Sequence, residues 1–187
     1  MGRAKLLLPW RATTVAGATA AALRAGGAGR IVLVAAPGDE ALRDWGENAG
    51  IEVAMNPDPS RGMLSTIVEG IEALGGAPAL TARNEILLVC PADLPALAPA
   101  SVSAVLEEME RAGAPLAVPT YKERRGHPLA IAPALVAEIP GLDPAVGLRQ
   151  LLDRHAGQVL QVAVDDPGIL LDIDTPEDYQ ALTRETD

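Results

Sequence analysis

Short apolar segments alternate along this chain with longer segments of helical periodicity, and this alternation constrains the fold more than any other feature. The first three apolar segments are nearly continuous in Val, Ile and Leu, as expected for strands covered on both faces. The pattern predicts an α/β fold, with three α/β/α layers around a mostly parallel, Rossmann-like sheet. The segment "TYKERRGHP" predicts a local antiparallel hairpin. The predicted strands are 30–36, 50–56, 85–91, 115–120, 128–133, 158–164 and 168–173, and the predicted helices are 12–25, 38–48, 63–74, 99–112, 145–155 and 175–184.

The alternation begins with a helix rather than a strand, and the preceding segment "KLLLP" ends in a proline. In an open α/β sheet the first strand is commonly central. A chain that lacks this strand leaves two inner edges of the sheet without backbone partners, which is costly. We therefore expect a sheet whose first central strand is missing.

Composition supports one folded unit. With 49% hydrophobic residues, the chain can bury a core, and we predict a single domain over 1–187. Because aromatic residues make up only 2%, Ala, Leu, Val and Ile must build that core. The one cysteine, Cys90, excludes an intramolecular disulfide, and its apolar surroundings predict a buried, unreactive thiol.

The charge and hydropathy of the sequence argue against nucleic acids and membranes as binding partners. A formal net charge of −10 argues against binding a nucleic-acid backbone, which needs a basic surface. No apolar run approaches the roughly 18 residues of a membrane span, and the start does not read as a secretory leader. Together with the single cysteine, these features predict a cytoplasmic protein without a membrane partner.

Two predicted strands run directly into aspartates. Asp93 follows the strand in "EILLVCPADLP", and Asp172 and Asp174 follow the one in "GILLDIDTPEDY". Ligands of open α/β sheets bind beyond the carboxyl ends of the strands, where carboxylates from two strands can hold one Mg²⁺. A bound cation would let an acidic protein accept a triphosphate. Spacing alone leaves open which of Asp172 and Asp174 meets the metal.

The same residues have a structural interpretation. The segment "TPED" is typical of a helix start, with Thr175 as N-cap, Pro176 at the first helical position and Asp178 closing a capping turn. Asp93 can likewise cap a tight turn before Pro95. Both interpretations of the acidic segments therefore stay open at this point.

Six segments in order resemble the MobA-like nucleotidyltransferases, and within them the molybdenum cofactor cytidylyltransferase branch. The resemblance runs over nearly all of the chain. Its segments are "MGRAKLLLP" at the start, "NPDPSRGMLSTI" (56–67), "CPADLPAL" (90–97), "YKERRGHP" (121–128), "GLRQLL" (147–152) and "DIDTPEDY" (172–179).

The resemblance implies a fold of the nucleotide-diphospho-sugar transferase type and a specific activity. The implied reaction is Mg²⁺-dependent transfer of a nucleotidyl group, preferentially CMP from CTP, onto a phosphorylated acceptor such as molybdopterin, with release of pyrophosphate. By position, Asp93 and Asp174 become the metal ligands and catalytic residues. Lys5, also catalytic, would face the triphosphate together with Arg3 and the backbone N–H of Gly2.

The remaining implied roles concern base and acceptor. Nucleotide contacts fall on the loop residues Asn56, Gly62 and Ser65. Contacts to the acceptor fall on Arg125, Gly126, His127 and Arg149. Four of these residues also have an ordinary interpretation. Arg125 can be a solvated loop charge, His127 a surface residue, Ser65 an early-helix polar residue and Arg149 an exposed helix position.

This chain departs from the family pattern in two places, and both departures leave alternative functions open. Leu64 and Thr66 flank Ser65 where the family usually has a run of serines, which leaves base choice open. The family pattern also begins with an apolar strand and a glycine-rich loop, whereas this chain starts inside that loop. We expect Met1 to be an internal methionine of a longer protein. The alternatives are a relative that uses GTP or another phosphate acceptor, and a non-catalytic module that binds a cofactor or a molybdoenzyme client.

Overall fold

The computed structural model describes residues 3–184, with side chains from Lys5 onward. The strands are Pro9–Trp10 (β1), Thr13–Thr14 (β2), Val32–Ala35 (β3), Glu52–Met55 (β4), Leu87–Val89 (β5), Leu116–Tyr121 (β6), Arg124–Arg125 (β7), Leu129–Ile131 (β8) and Val159–Ala163 (β9). The α-helices are Val15–Ala25 (α1), Glu40–Asn48 (α2), Met63–Ala73 (α3), Gly76–Arg83 (α4), Pro99–Ala112 (α5), Pro133–Val136 (α6), Arg149–Arg154 (α7) and Pro176–Arg184 (α8). Short 3-10 turns cover Arg3–Leu7, Pro59–Arg61, Ile139–Gly141, Ala156–Gln158 and Pro167–Leu170. None of the helices in this part of the chain is long and apolar enough to cross a membrane.

The main sheet has five strands around β6. Strand β6 pairs in parallel with β9 and antiparallel with β8, which in turn pairs antiparallel with β5. Strands β5, β6 and β9 therefore run in one direction. The predicted hairpin is confirmed, because β7 folds back antiparallel on the end of β6.

Helices cover both faces of this sheet, as predicted for three layers. On one face, Leu116 of β6 belongs to the same buried cluster as Ile71 of α3 and Leu151 of α7. On the other face, Ala117 belongs to a cluster with Val105 of α5. Successive residues of a strand point to opposite faces, so β6 lies between two helical layers, with its first five residues buried and Tyr121 half-buried. The α/β fold class predicted from the alternation is confirmed.

The sheet is interrupted between β3 and β5. Strands β3 and β4 pair in parallel as a separate two-stranded unit, and within residues 3–184 no strand joins β3 to β5. A groove lies there, lined by Ala16 and Thr19 of α1, Leu33 of β3 and Cys90 just after β5. This interruption agrees with the predicted absence of a first central strand, and it leaves one edge of β3 and one of β5 without a strand partner.

Two predicted elements differ from the structure, and one helix of the structure was not predicted. Residues 168–173 were predicted as a strand, but Asp166 accepts a hydrogen bond from the Gly168 amide at 2.8 Å and starts the 3-10 turn at Pro167. Helix α4 was not predicted, because the glycines before it and its internal Pro78 indicate a loop. The helix predicted over 145–155 begins only at Arg149.

The buried carboxylate of Asp166 connects α5 to the turn that precedes the second acidic segment. Its Oδ2 accepts hydrogen bonds from the Ala98 amide at 2.9 Å and from Ser101 Oγ at 2.7 Å. Its Oδ1 accepts from the Gly168 amide, so one side chain satisfies the start of a helix and the start of a turn.

Replacing Asp166 with alanine should lower the free energy of unfolding by about 2–4 kcal/mol, because three buried donors lose a charged acceptor. Urea denaturation measures this change. The exposed neighbour Asp165 provides the matched control, and Asp165→Ala should change stability by no more than about 0.5 kcal/mol. Equal effects of the two substitutions would contradict the role assigned to Asp166.

Candidate active site

Two acidic segments lie side by side at the carboxyl end of β5. Asp93 follows β5 in a turn, and the extended residues 171–174 run beside it. The backbone N–H of Ile173 donates to the carbonyl oxygen of Asp93 at 3.1 Å. This one hydrogen bond sets the spacing between the segments and places Asp93 and Asp174 at the same edge of the sheet, as predicted.

Lys5 connects the two aspartates. Its Nζ lies 2.6 Å from Asp93 Oδ2 and 3.0 Å from Asp174 Oδ1. The lysine lies in the first 3-10 turn, and Leu6 of that turn packs against a buried cluster that includes Ile173. The apolar residues around Lys5 therefore position its ammonium group between carboxylates that lie far away in the sequence.

The charges and the burial of the site residues shift the pKa values of Lys5 and Cys90. Partial burial acts to lower the pKa of Lys5, but hydrogen bonds and attraction from Asp93 and Asp174 outweigh it, so the pKa is raised. The Asp93 side chain is only 13% exposed, while that of Asp174 is 69% exposed. Burial, with the Asp93 charge nearby, raises the pKa of Cys90 to about 12. The Cys90 thiol is therefore protonated at neutral pH, in agreement with the predicted unreactive cysteine.

The donor set fits a divalent metal ion. Asp93 Oδ1 is buried and has no hydrogen-bond partner among the described residues, so a buried carboxylate oxygen is open to a further cation. Residues 3–184 contain no group of three or more His, Cys, Asp or Glu side chains arranged around one point. Two neighbouring carboxylates match Mg²⁺, which commonly binds one or two carboxylates and completes its shell with water and phosphate oxygens.

The structural interpretation of "TPED" is also confirmed. The Asp178 amide donates to Thr175 Oγ1 at 3.1 Å, and the Thr175 amide donates to Asp178 Oδ2 at 2.8 Å, forming a reciprocal cap at the start of α8. These hydrogen bonds hold the pKa of Asp178 below its usual value. Capping therefore occupies Thr175 and Asp178, while the Asp174 side chain faces Lys5.

The predicted acceptor segment packs against the turn before the second acidic segment. The Gly126 amide donates to Pro119 O at 2.9 Å, and the His127 amide donates to Ile169 O at 3.0 Å. A Cβ atom on Gly126 would lie 2.4 Å from Ile169 O, so this approach requires glycine. Packing around the imidazole lowers the pKa of His127, against the opposing charges of Asp172 and Asp93. At neutral pH the ring is therefore uncharged.

The loop predicted to meet the nucleotide is braced internally. Asn56 is buried, and its Nδ2 donates to Ser65 Oγ at 2.9 Å and to Thr66 Oγ1 at 3.0 Å. Ser65 Oγ in turn donates to Gly62 O at 2.8 Å. Gly62 precedes α3 with φ of 87°, a left-handed conformation that favours glycine. The structure thus brings Asn56, Gly62 and Ser65 together, beside a cavity of about 170 Å³ lined in part by Pro144.

The other predicted residues are not brought into these contacts. Arg125 is exposed on β7, and Arg149 is exposed at the first position of α7. Gly2 and the side chain of Arg3 lie outside the described residues. The roles predicted for these four residues therefore stay predictions.

Several residues that shape the site were not found from sequence. Thr19 of α1 donates to Ala92 O at 3.2 Å and fixes the turn before Asp93. Tyr179 of α8 donates through its hydroxyl to Pro9 O at 2.6 Å and ties that helix to the first turns of the chain. Trp10 is buried beneath the same turns. Aromatic residues are rare in this chain, and this rarity is the sequence feature that could have identified Tyr179 and Trp10 as structurally important.

Comparison with known proteins places this chain in a family. The chain belongs to the MobA-like NTP transferase family, whose model matches residues 1–159. Over 181 residues it is 25% identical to the molybdenum cofactor cytidylyltransferase of Escherichia coli (strain K12), covering 96% of this chain and 86% of that protein. The family resemblance inferred from sequence and the assignment as a nucleotidyltransferase are confirmed.

Solved structures share the fold of this chain. Rv0371c from Mycobacterium tuberculosis H37Rv superposes with a TM-score of 0.77 at 27% identity, covering 98% of this chain and 91% of that one. A second structure of Rv0371c, in complex with manganese, gives a TM-score of 0.73 at 28% identity, with 98% and 93% coverage. A nucleotidyl transferase from Methanothermobacter shares the fold, with a TM-score of 0.78 at 21% identity and coverage of 97% and 84%.

The contact between Gly126 and Ile169 makes a testable prediction. Gly126→Ala should destabilise the protein by about 3 kcal/mol, since the added methyl group meets a backbone oxygen that cannot move without shifting the turn. Urea denaturation measures the loss. Gly157→Ala is the matched control, because a methyl group there meets nothing within 4 Å, and it should be neutral within about 0.5 kcal/mol. A neutral Gly126→Ala variant would show that the contact is not tight.

Proposed function

We propose that this chain is a divalent-metal-dependent cytidylyltransferase. In the proposed reaction it transfers CMP from CTP onto a terminal phosphate of a molybdopterin-type acceptor in the cytoplasm, with Mg²⁺ as the metal ion. The observation that carries the proposal is the meeting of Lys5, Asp93 and Asp174 beyond the carboxyl end of β5. Its support is the confirmed family and the similarity to a molybdenum cofactor cytidylyltransferase.

The metal assignment follows from the chemistry of the site. Asp93 and Asp174 would hold the ion, with the buried Asp93 Oδ1 as its innermost protein ligand. When bound, the ion would neutralise phosphate oxygens and supply Lewis-acid stabilisation of the developing charge. The manganese complex of the related Rv0371c supports use of a divalent ion in this family.

The residues of this chain would act mainly by positioning and charge. An oxygen of the acceptor phosphate attacks the α-phosphorus of CTP, the bond from that phosphorus to the bridging oxygen breaks, and pyrophosphate leaves. Lys5 would neutralise oxygens of the triphosphate. The side chain requires no proton transfer for this role, because a lysine ammonium group is cationic at neutral pH.

The residues proposed to contact the nucleoside and the phosphate acceptor are assigned from their positions in the fold. We propose that the braced loop around Asn56, Gly62 and Ser65 presents backbone groups to the nucleoside, since its side chains already bond one another. Gly126 and the uncharged His127 would line the acceptor side, with Arg125 and Arg149 binding its phosphate.

The direct test is release of pyrophosphate from CTP in the presence of Mg²⁺ and molybdenum cofactor. Asp93→Asn should lower the rate by about 10³-fold, because the metal loses its buried carboxylate ligand and several kcal/mol of transition-state stabilisation. The exposed Asp153 of α7 is a matched control, and Asp153→Asn should keep the full rate. An unchanged rate in Asp93→Asn would overturn the metal assignment.

The interrupted sheet favours a second candidate, a non-catalytic module that binds a cofactor or client protein. Two strand edges beside the candidate site lack a strand partner within residues 3–184, and groups that position a triphosphate need a rigid frame. The same assay separates the candidates, since saturable, metal-dependent release of pyrophosphate by this chain would exclude the second one. Faster release from GTP than from CTP would instead favour a GTP-using relative.

A further inference from the structure

We propose that Lys5 is an internal cation that competes with the divalent metal ion for Asp93 and Asp174. The metal would displace the ammonium group from the carboxylates and release it toward the triphosphate. This inference rests on the proposed metal use of the same site, and it adds an order of events that the proposed function alone does not contain.

The geometry makes simultaneous occupation unfavourable. The ammonium nitrogen lies 2.6 Å from Asp93 Oδ2 and 3.0 Å from Asp174 Oδ1, so it fills the region between the two carboxylates. A Mg²⁺ ion bridging the same pair would lie about 2.1 Å from each oxygen. Two positive charges would then stand within a few ångströms of each other in a half-buried site, where the repulsion is strong.

The burial of Asp93 explains why a cation must lie beside its carboxylate, whether that cation is the Lys5 ammonium group or the metal ion. The Asp93 side chain is 13% exposed, and a carboxylate in such a position is costly without a charged partner. Lys5 satisfies Oδ2 only, and Oδ1 has no partner among the described residues. Asp93 Oδ1 is therefore a ligand position that the lysine does not use, and an ion held there would repel the ammonium group on the other oxygen of the same carboxylate.

The lysine can leave without moving the fold. Its backbone belongs to a turn anchored by Leu6 and Leu8 against Trp10 and Ile173, whereas its four-carbon side chain is flexible. Rotation of that side chain moves the ammonium group outward while the turn stays in place. A lysine freed in this way stands beside the metal, where phosphate oxygens of the nucleotide would bind it. Metal binding thus precedes the contact between Lys5 and the triphosphate.

The test is Mn²⁺ binding by the full chain without nucleotide, followed by the electron paramagnetic resonance signal of free Mn²⁺. Lys5→Met removes the competing charge and should tighten Mn²⁺ binding by about tenfold or more. Lys5→Arg keeps a competing cation and should bind Mn²⁺ close to the wild-type affinity. The control is Lys122→Met, since Lys122 lies over the Tyr121 ring away from the carboxylates, and its affinity should equal that of the wild type.

Thermal melting gives an independent readout. Without metal, Lys5→Met should melt at a lower temperature than the wild type, because Asp93 loses its partner. Saturating Mn²⁺ should then raise the melting temperature of Lys5→Met by more than that of the wild type. Lys5→Gln, which keeps hydrogen-bond donors without the charge, gives the same comparison if Lys5→Met does not fold.

The outcomes separate this inference from the proposed function. Equal or weaker Mn²⁺ binding by both Lys5→Met and Lys5→Gln, relative to the wild type, would overturn the competition but leave the metal-dependent activity standing. Absence of Mn²⁺ binding in every variant would overturn both. Tighter binding in the uncharged variants, with unchanged binding in Lys5→Arg and Lys122→Met, is the result that supports the competition.

Discussion

The site depends on one ionic interaction, the contact of the Lys5 ammonium group with Asp93 and Asp174. Asp93 is nearly buried, and Lys5 supplies the opposite charge that such a carboxylate needs. Lys5 and Asp174 are separated by 169 positions, so this contact connects the first 3-10 turn to the segment that precedes α8. The apolar cluster of Trp10, Val15 and Ile173 fixes the backbone on both sides. Packing thus creates the geometry, and the ionic contacts hold the three charged groups together.

The features that sequence predicted are those governed by local rules. Alternating apolar and helical segments predicted the layers, because strands buried on both faces must be aliphatic throughout. Helix α5 matches the helix predicted over 99–112, and its Val102, Val105 and Met109 are buried at helical spacing. The capping pair Thr175 and Asp178 follows from a helix-start motif alone. The approach of Asp93 and Asp174 was predicted from two strand ends at one edge of the sheet, but only Asp93 follows a strand, because a 3-10 turn over Pro167–Leu170 replaces the second one.

The features that sequence did not predict are set by contacts between distant segments. The 3-10 turn at Pro167 replaces a predicted strand because buried Asp166 bonds both Gly168 and the start of α5. The approach of Gly126 to Ile169 follows from packing of a hairpin on that turn. The contact of Lys5 with both carboxylates also depends on tertiary packing, since no local pattern places a lysine against acids so far along the chain. The position of Lys5 between the two carboxylates is therefore visible only in the folded structure, whereas the candidate residues themselves can be identified in the sequence.

The central claim is that Asp93 and Asp174 form a metal-dependent site for CTP. Calorimetric titration of the folded chain with CTP and with GTP, each with and without Mg²⁺, tests this claim most directly. The account predicts saturable binding of CTP that requires Mg²⁺, with weaker binding of GTP under the same conditions. Binding of GTP in preference to CTP, or no binding of either nucleotide by a chain shown to be folded, would contradict it.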